Sequence, residues 1–223
     1  MTIKPDKTCM RCGTCCKKGG PGLHADDRSL VESGKIPANA LFTIRAGELV
    51  RDNVKGVLVP LAEEMIKIKG ISNRWTCIFY DEPSKGCGIY EQRPLECRAL
   101  NCRDTTEIET VYTHSRLSRK DLLAGVGGLW DLVGDHERRC SYGKIKWLVD
   151  HGSNNGTLNR EGEILEVMRY DTHLRQLTKD QVGVEDGMLD FLFGRPLSDT
   201  IKMFDLKLAK EDGRYRLFPV LAE

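Results

Sequence analysis

Four cysteines stand within eight residues in the stretch CMRCGTCC, which runs from Cys9 to Cys16. Thiolates this close together repel one another and lose hydration unless a cation lies among them. The repeated Cys-x-x-Cys spacing lets Cys9, Cys12 and Cys15 converge on one centre, and Gly13 lets the loop curl. A chain with this stretch is expected to fold around a metal, with further ligands supplied from elsewhere.

The last cysteine of the stretch is treated separately. Adjacent side chains in an extended or turning segment point apart, so the sequence predicts that Cys16 faces a second site or a second metal atom. A second block adds four cysteines at gaps of ten, ten and five residues, which suits separate turns that meet around a centre: Cys77, Cys87, Cys97 and Cys102. Eight thiols in two sets of four are compatible with two tetrahedral zinc ions, one iron–sulfur cluster with spare thiols, or two clusters.

Composition limits the surroundings of this site. The chain has 34 basic and 33 acidic side chains in 223 residues, so no overall charge attracts nucleic acid or an anionic membrane. No apolar run approaches the roughly 18 to 20 residues that a membrane helix needs, and MTIKPDKTC lacks the apolar region of a secretory signal. We therefore predict a cytoplasmic location, where nine cysteines indicate metal binding or catalysis rather than disulfides.

The uneven distribution of cysteines predicts two regions that share one core. Residues 1–104 form the cysteine-cluster metal-binding region, and residues 105–223 form a mainly helical region packed on it. In the first region a helix is predicted over Asp27–Ser33, and short strands are predicted within 41–50, 56–70 and 75–81. The predicted fold class is α+β, with an irregular cysteine-rich half containing short antiparallel strands, then a mainly helical half with a terminal hairpin.

The helical region shows several start and stop signals. Ser118 and Asp121 resemble a capping box before a helical pattern that reaches Val133, and Gly125–Gly128 marks either close packing or a break in that helix. The Asn155-Gly156 pair predicts a tight turn. The remaining predicted elements are helices at 164–177, 185–193 and 197–204, and terminal strands at 205–209 and 215–220.

Four segments of the first region together resemble the YkgJ-type cysteine cluster proteins, a family described as zinc- or iron-chelating domains. They are CMRCGTCC from Cys9, CIF from Cys77, GCGIY around Cys87 and RPLECR around Cys97, and they span about residues 9–102. The resemblance implies metal binding by all the cysteines of these segments, and Cys102 joins the set by position. Flagellin lysine N-methylase carries a similar cluster, thought to hold four irons, which favours an iron–sulfur cluster over zinc here.

The surroundings of the cysteines agree with such a cluster. Aromatic side chains would either limit solvent and oxygen at the cluster or form ordinary core, and arginines would offset the charge of thiolates and sulfides. Cys140 lies four residues after His136, but a single pair far in sequence from the cluster is expected to be packing. The candidate aromatic and basic neighbours are Trp75, Phe79, Tyr80, Tyr90, Arg74, Arg93 and Arg98.

We therefore expect a metal-binding protein that holds an iron–sulfur cluster, of the four-iron type, for electron transfer, redox sensing, or metal or cluster handling with a protein or redox partner. One alternative is a structural or interaction module stapled by zinc. Another is a protein- or peptide-modifying transferase similar to the flagellin methylase. No nucleophile with a base, paired carboxylates or cofactor loop stands out, so the sequence does not decide whether the chain is an enzyme.

Overall fold

Short helices and two-stranded sheets alternate in the first half of the chain, and longer helices fill the second half. A computed structural model describes residues 9, 11–52, 56–71, 74–154 and 157–220. The helices are α1 (Thr14–Lys18), α2 (Arg28–Glu32), α3 (Leu95–Ala99), α4 (Thr106–Val111), α5 (Arg119–Leu123), α6 (Leu129–Cys140), α7 (Tyr142–Gly152), α8 (Glu161–Leu177), α9 (Asp186–Phe193) and α10 (Leu197–Thr200). The arrangement confirms the predicted α+β class with a helical second half.

Every described strand belongs to an antiparallel pair, and the pairs do not join into a larger sheet among these residues. The last of these pairs in the sequence is the predicted terminal hairpin. The strands pair as β1 (Leu41–Ile44) with β4 (Met65–Ile68), β2 (Leu49–Arg51) with β3 (Leu58–Pro60), β5 (Tyr80–Asp81) with β6 (Gly86–Cys87), β7 (Ser153–Asn154) with β8 (Thr157–Leu158), and β9 (Leu206–Glu211) with β10 (Arg214–Pro219).

The β1–β4 pair carries one face of the core. Leu41 lies opposite Ile68 and Thr43 lies opposite Ile66, and all four side chains are buried. Side chains alternate between the two faces of a strand, so these four share one face. The Thr43 hydroxyl donates to the carbonyl of Phe191 at 2.6 Å, which joins this face to α9.

One hydrophobic cluster contains residues from both halves of the chain. Ile66 and Tyr80 belong to it together with Val133 and Phe191, which lie on α6 and α9. The cysteine-bearing half therefore buries its apolar side chains against the helical half. The division into two regions at residue 104 stays a prediction.

A buried polar chain links strand β1 to the helices. Arg45, directly after β1, donates to Nδ1 of His136 at 2.9 Å and to the carbonyl of Cys140 at 2.8 Å. Nδ1 must then accept, so the His136 proton sits on Nε2 and is donated to Asp171 at 2.7 Å. Arg45, His136 and Cys140 have no solvent exposure. This placement makes His136 and Cys140 structural, as expected from the sequence.

The helical signals of the sequence were largely correct. The Ser118 hydroxyl accepts from the Asp121 amide and the Asp121 carboxylate accepts from the Ser118 amide, which is the predicted capping box of α5. The helix then breaks before α6 begins at Leu129, as the glycines at 125–128 suggested. Helix α7 was not predicted, and the predicted turn at Asn155-Gly156 lies outside the described residues.

Candidate metal centre

All eight clustered cysteines line one cavity of about 1200 Å³, called here the cysteine cavity. They reach it from five short segments: the loop before α1, α1 itself, the β5–β6 region, α3 and the turn that follows α3. The cysteines in chain order are Cys9, Cys12, Cys15, Cys16, Cys77, Cys87, Cys97 and Cys102. The fold thus brings together the two blocks that the sequence separates.

The first block is organised by a glycine and a short helix. Gly13 has φ of +75° and stands immediately before α1, which carries Cys15 and Cys16. Their Sγ atoms lie 3.9 Å apart. The prediction that adjacent thiols point apart was wrong, because it assumed an extended or turning segment, whereas the segment is helical.

Backbone contacts fix the second block against the first. The amide of Cys77 donates to the carbonyl of Cys16 at 2.8 Å. Cys87 pairs with Tyr80 across β5 and β6, and Cys97 lies on α3. The first amide of α3 donates to the buried carboxylate of Asp27 at 2.8 Å, which holds the helix in place.

Electrostatic interactions divide the eight thiols into two overlapping groups. Burial raises the pKa of Cys97, and the thiols of Cys77 and Cys15 raise it further. Burial and then the thiol of Cys15 raise the pKa of Cys16 to about 12, with smaller effects from Cys77 and Cys87. We call Cys16, Cys77, Cys87 and Cys97 the inner thiols.

The other group includes the two exposed thiols, Cys12 and Cys102. Desolvation raises the pKa of Cys102, followed by the thiols of Cys15, Cys12 and Cys9. The hydroxyl and amide of Thr14 lower the pKa of Cys12. We call Cys9, Cys12, Cys15 and Cys102 the outer thiols. Each group takes members from both sequence blocks, and the thiol of Cys15 acts on both groups.

The donor set suits a soft metal, because only sulfur is supplied by the clustered residues. Two thiolates bound at 2.3 Å to one tetrahedral zinc lie about 3.8 Å apart, close to the 3.9 Å between Cys15 and Cys16. Among the described residues, however, no three His, Cys, Asp or Glu side chains are grouped as they would be around a single ion. The residues therefore fit a thiolate-bound metal, but binding must draw the sulfurs together or place a larger cluster between them.

The walls of the cysteine cavity are partly those expected. Phe79, Tyr80 and Tyr90 line it, and the guanidinium groups of Arg11 and Arg93 lie 3.9 and 3.7 Å from the centre of the Tyr90 ring. Trp75 also lines the cavity but is 67% exposed, and Arg98 instead faces Asp27 at 4.0 Å. Arg74 and Arg98 are absent from the described lining residues.

Basic side chains greatly outnumber acidic ones on this lining. Ten described arginines and lysines face the cavity, against the two glutamates Glu96 and Glu109. The ten are Arg11, Lys18, Arg51, Lys67, Lys85, Arg93, Arg103, Arg116, Arg195 and Lys202. The positive lining suits a thiolate-rich centre, because several thiolates around one metal carry a net negative charge.

Sequence reasoning missed Lys67, which lies on β4 directly opposite Phe42. Burial lowers the pKa of Lys67, while the charges of Glu96 and Cys97 raise it. The alternation of apolar and basic residues in the segment MIKIK was the available signal. It could not be used without the pairing of β4 with β1, which decides the face on which the lysine lies.

The geometry, with eight thiols lining one cavity, is that expected of a metal-chelating domain. Residues 8–115, just under half of the chain, match the family CxxCxxCC, "Putative zinc- or iron-chelating domain". The match is to the family that the cysteine spacing indicated, and its description supports metal binding. No curated protein and no solved structure matches the chain. Among the described residues, no helix is both long and apolar enough to cross a membrane.

Proposed function

We propose that the cysteine cavity holds an iron–sulfur cluster and that the chain uses it for electron transfer or redox sensing. The observation that carries the proposal is the convergence of eight thiols on one cavity with a strongly basic lining. A single tetrahedral ion takes four thiolates, so eight exceed its needs. Iron–sulfur clusters are held by cysteine thiolates, and nearby positive charge and hydrogen bonds tune their reduction potentials.

We assign the inner thiols as the principal ligands. Cys77 is 8% exposed and Cys97 is partly buried, whereas Cys12 and Cys102 are exposed. Tyr80, at 6% exposure, also lines the cavity. A cluster held there would be shielded on its inner side and would meet solvent on the side of the outer thiols. On that exposed side a redox partner would exchange electrons with the cluster. There an outer thiol would also supply a missing ligand or take the place of an inner thiol.

A zinc centre is the second candidate, and one distance favours it. The 3.9 Å between the Sγ atoms of Cys15 and Cys16 is close to the separation around one tetrahedral zinc. In this case the metal would staple the loops that carry the cysteines, and the chain would have no redox chemistry. Two zinc ions would use all eight thiols.

Anaerobic purification followed by iron, zinc and sulfide analysis separates these proposals. We expect a coloured protein that contains iron and acid-labile sulfide and gives a paramagnetic resonance signal in one oxidation state. A colourless protein that contains zinc alone, even after anaerobic reconstitution with iron and sulfide, would overturn the iron–sulfur proposal.

Cysteine variants test the ligand assignment. Cys97→Ser is expected to lose most of the metal, and Cys102→Ser to lose less, because it removes an exposed outer thiol. Cys140→Ser is the matched control, since Cys140 is buried against the carbonyl of Val167 and does not line the cavity. Circular dichroism of each variant checks that the helices persist. Equal metal content in Cys97→Ser and Cys140→Ser would refute the assignment.

A further inference from the structure

The cysteine cavity extends well past the thiols, along a wall built by strands. Beyond the cysteine end it is lined by Phe42 and Ile44 of β1, Met65 of β4, Leu49 of β2 and Val59 of β3. None of these residues belongs to the cysteine motif. The volume of about 1200 Å³ exceeds the 300–1,000 Å³ that is usual for a small-molecule site, so it accommodates a ligand beside a metal centre.

The apolar wall is the second face of the β1–β4 pair. The first face packs into the core, and a two-stranded pair of this kind usually turns polar side chains outward on its other face. Here Phe42 is paired with Lys67 and Ile44 is paired with Met65, so three of these four outward residues are apolar. They line the cavity rather than a packed helix. An apolar wall facing a cavity is the usual construction of a ligand site.

Lys67 places one positive charge at the end of this wall. Its ammonium group has no hydrogen-bond or ion-pair partner among the described residues. The nearby carboxylate of Glu96 already accepts from the amide of Gly22 at 2.7 Å and interacts with Nε2 of His24 at 3.3 Å. The guanidinium of Arg116 lies on the same lining and adds a second positive charge. Lys67 and Arg116 together carry two positive charges against the one carboxylate of Glu96, so the charge at this end of the wall favours an anion.

We propose that the cavity binds an apolar molecule that carries one carboxylate, with the carboxylate on Lys67 and the apolar body along Phe42, Ile44 and Met65. The charge complementarity selects an anion, and the apolar wall selects a hydrocarbon or aromatic body over a sugar or nucleotide. The site requires no cysteine. It thus goes beyond the function proposed above.

Calorimetric titration of the metal-loaded protein with octanoate, 1-octanol and octylammonium tests the proposal. The three probes share one chain and differ in charge. We expect saturable binding of one octanoate, roughly tenfold or more weaker binding of octanol because the ionic hydrogen bond is missing, and no binding of octylammonium. Failure of octanoate to saturate, or equal affinity for octanol, would overturn the proposal.

Two variants locate the ligand. Lys67→Met is expected to weaken octanoate binding by roughly tenfold or more and to leave octanol binding unchanged. Phe42→Ser should weaken both. Lys207→Met removes an exposed lysine of β9 that does not line the cavity, and it is expected to bind octanoate like the unaltered protein.

Metal analysis of the same samples separates a ligand site from a purely metal-related role of Lys67. If Lys67 serves only to offset thiolate charge, Lys67→Met will change the metal content or the visible spectrum and leave octanoate binding intact, which would refute the ligand site. The titration gives its answer on iron- and zinc-loaded protein alike, so its failure is distinct from failure of the iron–sulfur proposal.

Discussion

Replacement of Gly13 by alanine tests whether the cysteine loop is held in one conformation. Gly13 has φ of +75°. A Cβ atom there would lie 2.2 Å from Oη and 2.5 Å from Cζ of Tyr80. Tyr80 cannot easily yield, because it is buried in the shared core and its backbone pairs with Cys87. The alanine must therefore displace either α1 with its thiols or the strand that positions Cys87.

Two costs add in this variant. A left-handed conformation costs a non-glycine residue about 1–2 kcal/mol. Forcing an extra methyl group into a filled space costs about 1–3 kcal/mol more. Gly34 provides the matched control, because it has φ of +73° and nothing within 4 Å of the position of a Cβ atom. Gly34→Ala should therefore be destabilised by the left-handed conformation alone. The difference in unfolding free energy between the two variants then isolates the contact with Tyr80.

Denaturant unfolding of the metal-loaded protein measures this difference, and metal analysis measures its consequence. We expect Gly13→Ala to be about 1–3 kcal/mol less stable than Gly34→Ala and to hold less metal per chain. Gly34→Ala should keep its metal. If the two variants are equally stable and equally loaded, then the loop before α1 moves freely past Tyr80, and the reasoning is refuted.

Three further predictions concern other parts of the molecule. Burial opposes the charge of Asp171, but the His136 hydrogen bond and the Arg175 charge lower its pKa from 3.8 to about 2. The ionised Asp171 therefore stabilises the fold fully above pH 4, and this stabilisation declines as the pH falls toward 2. Asp171→Asn is expected to lower the free energy of unfolding by about 3 kcal/mol at pH 7 and by roughly 1 kcal/mol less at pH 3, measured by denaturant unfolding. An equal loss of stability at both pH values would contradict this. Tyr90→Leu removes the ring on which Arg11 and Arg93 stack, and it should speed the release of metal to a chelator. An unchanged release rate would show that this stack does not help to retain the metal. Ser118→Ala should cost about 1 kcal/mol of unfolding free energy without loss of metal, and an unaltered stability would show that the cap is not needed.

The sequence predicted those features that depend on local spacing. The crowding of thiols in CMRCGTCC required a cation and therefore a second set of ligands, and the fold does bring both blocks to one cavity. The capping box at Ser118 and the terminal hairpin also follow from local rules. The hairpin turns at Asp212-Gly213, and both residues have positive φ, as a tight hairpin turn requires.

Features that depend on pairing between distant segments could not be predicted. Short strands were expected within residues 41–50, and this stretch forms two, β1 and β2, that pair with different partners. In β1, Leu41 and Thr43 alternate with Phe42 and Ile44 between the two faces. However, alternation alone does not predict that the charged Arg45 is buried on the same face as Leu41 and Thr43. Its hydrogen-bond partners, His136 and the carbonyl of Cys140, lie about ninety residues away in the sequence.

The two thiol groups show the same limit. From spacing, the natural division was between the two sequence blocks, four cysteines in each. In the fold Cys16 joins the second block, because its carbonyl accepts from the amide of Cys77, while Cys102 joins the exposed side with Cys12. The division therefore does not follow order in the chain.

The common cavity couples the proposed metal centre to the proposed ligand. The lysine that would hold the carboxylate lies within electrostatic reach of Cys97 and Cys77, two of the inner thiols. A one-electron reduction adds a negative charge to an iron–sulfur centre, which repels a carboxylate held nearby. Linkage between two sites is reciprocal. A bound carboxylate must therefore make the iron–sulfur centre harder to reduce, by the same free energy by which reduction weakens carboxylate binding. A zinc centre has no redox state to change, so this coupling belongs to the iron–sulfur proposal alone.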